Sequence, residues 1–233
     1  MRKNIFVFCF FSVGILNGLA LVFEINLLFE LTKPLIVVSL IAHYAINAQM
    51  RSNVFLFGLF FCLVGDVSLM FAGENQLFFM GGLLAFLVGH ILYIIAYRQH
   101  QKIGMSEELL TTQKIRFALP VVLAGTGLIT ILFSSLGNLQ IPVLIYAIIL
   151  MVMVITALLR YGRTTVSSYG QVLLGAILFM ISDSILAINK FLHPFHAASL
   201  AIMIAYIAAQ YFIVKGMLNH RAKIKDEISF HPL

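Results

Sequence analysis

Charge is scarce in this 233-residue chain: only 10% of its residues are Asp, Glu, Lys or Arg, against roughly one quarter in a soluble domain. That excludes an ordinary soluble globular protein. Cysteine is scarce too. The two present, Cys9 and Cys62, both lie inside apolar runs, where small hydrophobes are common, so no disulfide is expected. Long polar stretches are almost missing, which leaves no room for a second, soluble domain. No convincing small-residue cleavage site follows the first apolar run behind Arg2 and Lys3, so that run reads as a helix and not as a signal peptide.

What is present is apolar surface: 61% hydrophobic residues and a mean hydropathy of +1.03. Apolar stretches near twenty residues long recur along the chain, the length a helix needs to cross a bilayer. The expectation is an all-α, multi-pass transmembrane bundle of about eight helices. The spans lie near 4–23, 31–49, 53–72, 76–98, 115–134, 141–160, 169–189 and 195–215. The net charge of +6 does not point to nucleic acid, because the basic residues fall in short segments between apolar runs. There they orient the chain. One side receives Arg2, Lys3, Arg51, Arg98, Lys102, Lys114, Arg116, Arg160, Arg163, Lys215, Arg221, Lys223 and Lys225, whereas the other receives only Lys33 and Lys190. Both termini are therefore expected in the cytoplasm.

The polar connector 99–114, with Glu107 and Glu108, divides the chain into a first four-helix half (1–98) and a second (115–217), followed by a basic tail (218–233). An even number of spans per half makes the halves parallel repeats. The tail, from His220 through Lys225, is drawn to anionic headgroups, so membrane lipid is an expected partner. Pro34 and Pro142 both fall near the start of the second span of their half, where a helix tolerates proline.

Two acids stand out. Gly58-x7-Asp66-x2-Leu69 is repeated as Gly175-x7-Asp183-x2-Leu186, each inside an apolar run. A carboxylate at membrane depth costs several kcal/mol unless paired, hydrated or protonated, so such residues mark function by default. Parallel halves place Asp66 and Asp183 at one depth, about 10 Å inside the outer helix ends, facing each other across a cavity that opens outward. Lys33, nearly the only outer cation, reads either as a snorkelling boundary residue or as a ligand for an anion. His90 and Tyr93 share a face of the fourth span; Tyr206, Gln210 and Tyr211 form a stripe on the last; Asn189 lies two turns beyond Asp183. Such stripes also serve as interhelical glue. His43 and Tyr44 read as structural, and Phe55, Phe57, Phe60 and Phe61 as packing or lipid-facing.

Four chemistries fit two intramembrane acids. An intramembrane aspartyl protease fails on detail: Leu63 stands where Gly-x-Gly-Asp needs its first glycine, Ser182 precedes Asp183 where tyrosine is required, and no Pro-Ala-Leu motif is present. A metal-dependent lipid hydrolase would use His193 and His196 with the aspartates, but Pro194 points to a plain outer turn. A proton-coupled transporter of lipids or small molecules uses such acids as relays. A metal-free lipid hydrolase uses one carboxylic acid as proton donor and the other as base.

Thr32-Lys33-Pro34, Gly65-Asp66-x2-Leu69, Gly82-x3-Phe86-x3-His90-x2-Tyr93, Ser182-Asp183 with Asn189 and Phe191, and Tyr206-x2-Ala209-Gln210 together resemble the YhhN-like family of lysoplasmalogenases. The resemblance runs from the second span to the last. It implies an integral-membrane ether hydrolase that cleaves the vinyl ether bond of a lysophospholipid, lysoplasmalogen, releasing a fatty aldehyde and glycerophosphoethanolamine or glycerophosphocholine. Protonation of the vinyl β-carbon creates an oxocarbenium ion that water captures, much as in glycoside cleavage. On this expectation Asp66 and Asp183 are the catalytic pair, with no metal or cofactor. Lys33 meets the substrate phosphate. His90, Tyr93, Asn189, Tyr206 and Gln210 hydrogen-bond water, the glycerol hydroxyl or the acids, and apolar walls hold the alkenyl chain. A compact chain of this kind fits a bacterial inner membrane.

Overall fold

A computed structural model describes residues 5–48, 51–73, 75–101 and 109–229, with side chains as far as His220. Arg2, Lys3, residues 102–108 of the connector with Lys102, Glu107 and Glu108, and the side chains of Arg221, Lys223 and Lys225 lie outside the described residues. The described residues are all-helical. The helices are α1 (Ile5–Val22), α2 (Asn26–Asn47), α3 (Asn53–Met70), α4 (Gln76–Gln99), α5 (Thr111–Leu132), α6 (Gln140–Leu158), α7 (Val166–Phe191) and α8 (Ala198–Ser229), with two short 3-10 turns between α5 and α6. All eight include a stretch long and apolar enough to cross a membrane. Their outward faces carry bare apolar side chains such as Phe8, Leu27, Leu123 and Ile141. That surface suits lipid, where a helix is stable because its backbone groups are satisfied internally.

Capping marks three of the starts. Ser52 accepts from the Phe55 amide at 3.3 Å, Asn75 from the Leu77 amide at 2.9 Å and Thr165 from the Ser168 amide at 3.1 Å, as side-chain oxygens do at helix N-termini. Two boundaries differ from expectation. α2 begins at Asn26, because the turn after α1 is only three residues long and uses Glu24 at φ 56°. Polar Asn26 and Glu30 make the apolar run look shorter than the helix. Lys33 is therefore the eighth residue of α2 and Pro34 the ninth, not boundary residues. Proline inside a helix removes a backbone hydrogen bond. Asn17 of α1 braces this stretch, donating to the Phe29 carbonyl at 3.2 Å and to Thr32 Oγ1 at 2.9 Å. Pro142, by contrast, is the third residue of α6. At the other end of the chain α8 runs past 215 to Ser229, since Asn, Arg, Lys, Asp and Glu continue a helix where no proline intervenes.

Helices pair in sequence order, α1 with α2, α3 with α4 and α7 with α8 most closely, and α4 with α6 across the chain midpoint. Glycine sets the close approaches. A Cβ on Gly58 of α3 would stand 2.7 Å from the Tyr93 ring and 3.4 Å from the Gly89 carbonyl of α4. A Cβ on Gly175 of α7 would stand 2.7 Å from the Ala209 carbonyl and 2.7 Å from the Ile213 side chain of α8. The same contact, to a carbonyl and to a side chain one turn on, thus recurs in both pairs. Each pair carries one of the two acids.

Beyond α6, Arg160 is fully buried and donates to Ser168 Oγ at 3.1 Å, with its guanidinium 5.6 Å from the centroid of the Tyr97 ring. Burial lowers its pKa to about 10, with Tyr97 acting the other way, so it stays a cation at neutral pH. It ties the α6–α7 turn to α4 and α7.

Candidate active site

Asp66 sits one turn before the end of α3, and Asp183 two turns before the end of α7. Both project into one cavity, which is also lined by Lys33 of α2, Phe86 of α4, Ser182 and Lys190 of α7 and Tyr206 of α8. The cavity has a volume of about 170 Å³ and is partly open to the outside. Lys33 and Lys190, the two cations of the lysine-poor side, therefore meet at the same cavity. Each also lies over an aromatic ring, Lys33 over Phe29 at 5.4 Å and Lys190 over Phe79 at 5.3 Å. Among the described residues neither is paired with a carboxylate.

Each acid is held by a tyrosine. Tyr206 donates its hydroxyl hydrogen to Asp66 Oδ2 at 2.6 Å, and Tyr146 of α6 donates to Asp183 Oδ2. In both cases the second carboxyl oxygen accepts no hydrogen bond among the described residues. Behind Tyr206 a chain of hydrogen bonds leads away from the cavity. Gln210 Nε2 donates to the Tyr206 hydroxyl at 3.2 Å, Tyr93 donates to Gln210 Oε1 at 2.9 Å, and the Cys62 thiol donates to Tyr93 at 3.7 Å. Ser182, next to Asp183, donates to the Ile202 carbonyl of α8 at 3.0 Å and fixes the two helices in register.

A second cavity adjoins the first. It lies among α4, α5, α6 and α7, has a volume of about 70 Å³, is walled by Gly125, Leu128, Ala147, Leu150, Met151 and Met180, and is almost entirely apolar. Asp183, Leu69, Phe79, Phe86 and Leu186 line both cavities, while Asp66, Lys33 and Lys190 line only the polar one. Asp183 therefore stands at the junction between a charged chamber and a greasy one.

Several expected ligand-contacting residues do not reach these walls. Tyr93 and Gln210 act one and two hydrogen bonds behind Tyr206 instead. Asn189 accepts from the Phe195 amide at 3.1 Å and organises the α7–α8 turn; that turn leaves backbone donors for it to satisfy. His90 is fully buried, and among the described residues neither ring nitrogen has a hydrogen-bond partner. It is caged by the rings of Phe179 at 4.6 Å, Tyr146 at 5.5 Å and Phe86 at 6.3 Å, which leaves it as packing behind Tyr146. Tyr211 stacks on Phe10 of α1, away from the cavity. His193 and His196 are exposed in the α7–α8 turn, and among the described residues no three His, Cys, Asp or Glu side chains gather as a metal set. Tyr146 and Lys190 are cavity-lining positions that motif reading passes over. The signals for them are a lone tyrosine in the largely apolar α6 and the rarity of lysine on that side.

Eight apolar helices define a multi-pass membrane protein, and Asp66 and Asp183 line one cavity within its bundle. A match to the model of the YhhN family spans residues 28–217, from the start of α2 into α8, and the chain belongs to that family. It is 32% identical to human lysoplasmalogenase TMEM86B over 156 residues, covering 67% of this chain and 59% of the human protein. It is 30% identical to a lysoplasmalogenase of Mycobacterium bovis over 146 residues, 61% of this chain and 52% of that one. Bovine lysoplasmalogenase TMEM86A is 29% identical over 175 residues, 72% and 67% of the respective chains. The chain thus spans little more than half the length of the first two relatives. No solved structure matches it.

Proposed function

We propose that the protein is a lysoplasmalogenase, hydrolysing the vinyl ether bond of a lysoplasmalogen to a fatty aldehyde and a glycerophospho-base. The observation that carries this reading is the pair of adjoining chambers with Asp183 where they meet and Asp66 in the polar one. In the substrate a phosphate-bearing headgroup and a hydrocarbon chain are joined through the bond to be broken. A charged chamber with Lys33 and Lys190 suits the phosphate, as ammonium groups do. The apolar chamber between α5 and α7 suits the chain, and the acids then flank the ether. The relatives' shared name supports the same assignment.

One carboxylic acid protonates the vinyl β-carbon; the resulting oxocarbenium ion is stabilised by the neighbouring carboxylate and captured by water; the hemiacetal then collapses to aldehyde and alcohol. Two carboxyls supply both the acid and the base, each worth about 10²–10⁴-fold when correctly placed, so this scheme routes no step through a metal. Tyr146 and Tyr206 hold the carboxyl groups in orientation. We also take both termini as cytoplasmic, the two halves as parallel repeats, and a cell membrane as the location; the polar chamber then opens on the outer side.

The test is purified protein in detergent with lysoplasmalogen, aldehyde release being followed with and without chelator. Release in both conditions is expected. No aldehyde, together with ligand-dependent proton flux in liposomes, would replace the hydrolase with a transporter.

A further inference from the structure

The two acids are held differently, and the order of atoms in the substrate makes the difference meaningful. Along a vinyl ether the sequence is glyceryl oxygen, α-carbon, β-carbon, hydrocarbon chain. The proton is added on the chain side, at the β-carbon, and water adds one atom nearer the headgroup. Asp183 lines both chambers, whereas Asp66 lines only the polar one. A donor for the β-carbon belongs at the junction, and a base that activates water belongs among the polar walls.

The hydrogen bonds give an independent reason. A phenol has a single hydrogen. Because Tyr206 accepts from Gln210 Nε2, its own hydrogen points to Asp66, and because Tyr93 spends its hydrogen on Gln210 Oε1, the amide is held in that orientation. The row from Cys62 through Tyr93, Gln210 and Tyr206 thus runs one way and ends by offering a donor to Asp66, which favours its ionised, acceptor-only form. Among the described residues Asp183 receives Tyr146 alone, with no comparable row behind it.

We infer that Asp183 is the proton donor and Asp66 the base, with Gln210 a positioning residue acting through Tyr206; this rests on the vinyl ether reading above. Asp183 gives its proton to the β-carbon as the π pair forms the new C–H bond, leaving the cation on the α-carbon and ether oxygen. Asp66 takes a proton from the water whose oxygen bonds the α-carbon. In the collapse Asp66 returns that proton to the departing glyceryl oxygen. Asp183 accepts the hemiacetal hydroxyl proton as the carbonyl forms, so both acids return to their starting states and one water is consumed.

Azide separates the roles, because it adds to an oxocarbenium carbon without needing a base. With each variant's fold checked by thermal unfolding in detergent, Asp66→Ala should lose about a hundredfold or more in turnover. Added azide should then restore substrate consumption, giving a 1-azidoalkyl glyceryl ether detectable by mass, while Asp183→Ala gives none. Should either alanine variant fail to fold, the corresponding asparagine variant carries the same test. Gln210→Leu should lower kcat with KM unchanged and recover with azide, a response that a merely structural defect would not give. Azide product from Asp183→Ala, from both aspartate variants or from neither overturns the assignment, and a Gln210→Leu loss that azide does not repair overturns the positioning role. Absence of aldehyde from the unsubstituted protein would overturn the vinyl ether reading itself.

Discussion

Replacing Gly175 by alanine is a sharp test of how the site is assembled. The added methyl would stand 2.7 Å from the Ala209 carbonyl oxygen and 2.8 Å from the Ile213 amide nitrogen. Ordinary carbon contacts begin near 3.4 Å, so α7 and α8 must part by about 0.7 Å, the difference between 3.4 and 2.7 Å. Both obstructing atoms are backbone, so no side-chain rotation relieves the clash. Overpacking of this kind costs about 1–3 kcal/mol. The separation also acts on chemistry, since α7 carries Asp183 while α8 carries Tyr206 and Gln210, and the Ser182–Ile202 hydrogen bond of 3.0 Å crosses the same seam. Gly170 is the control: it is on the same helix, exposed, with nothing within 4 Å of an added Cβ. Alanine there should be neutral or stabilise by up to about 1 kcal/mol, the helix-propensity gain. Thermal unfolding in detergent and aldehyde release, measured side by side, should show Gly175→Ala less stable and slower, and Gly170→Ala at least as stable as the unsubstituted protein with turnover unchanged. Equal stability and turnover in the two variants would refute the claim that this glycine sets the α7–α8 distance.

Lys33→Met should raise KM for lysoplasmalogen about tenfold, because it removes a charge-assisted hydrogen bond to the phosphate. Lys190→Met should raise it less, since that ammonium is exposed and screened; KM for an uncharged alkenylglycerol should move for neither. Ala147→Phe fills the apolar chamber and should cut kcat/KM for long-chain substrates by about tenfold while sparing short-chain ones, as a chain-length series would reveal. His90→Phe should leave thermal stability within about 1 kcal/mol or raise it, because a buried imidazole without partners gives up no hydrogen bond; a loss above about 2 kcal/mol would mean that the imidazole does hold a partner.

The eight helices were legible because an apolar run near twenty residues has few alternatives. Their ends were less so. Asn26 and Glu30 are polar, yet they form the first turns of α2, and counting from the apolar run displaces Lys33 from helix interior to boundary. The acids were legible because Gly58-x7-Asp66 and Gly175-x7-Asp183 repeat both a close-packing residue and a costly one, and the two carboxyls do line one cavity. Tyr146 was not, since a tyrosine in an apolar helix looks like packing until its hydroxyl is seen on Asp183. Tyr93, Gln210 and Asn189 stood out as polar positions but fall a layer away from where a ligand would meet them, because periodicity gives a face and not the partner across it. For His90 the residue type promises a hydrogen bond that its aromatic cage does not supply.

The central claim is that Asp66 and Asp183 act on one ligand as a unit, and a double-mutant comparison tests it most directly. Asp66→Asn and Asp183→Asn should each lower kcat for aldehyde release on the order of a hundredfold or more. Combining them should cost scarcely more than the worse single change, as for residues that work together. Losses that simply multiply, or a single variant that retains full turnover, would contradict the account.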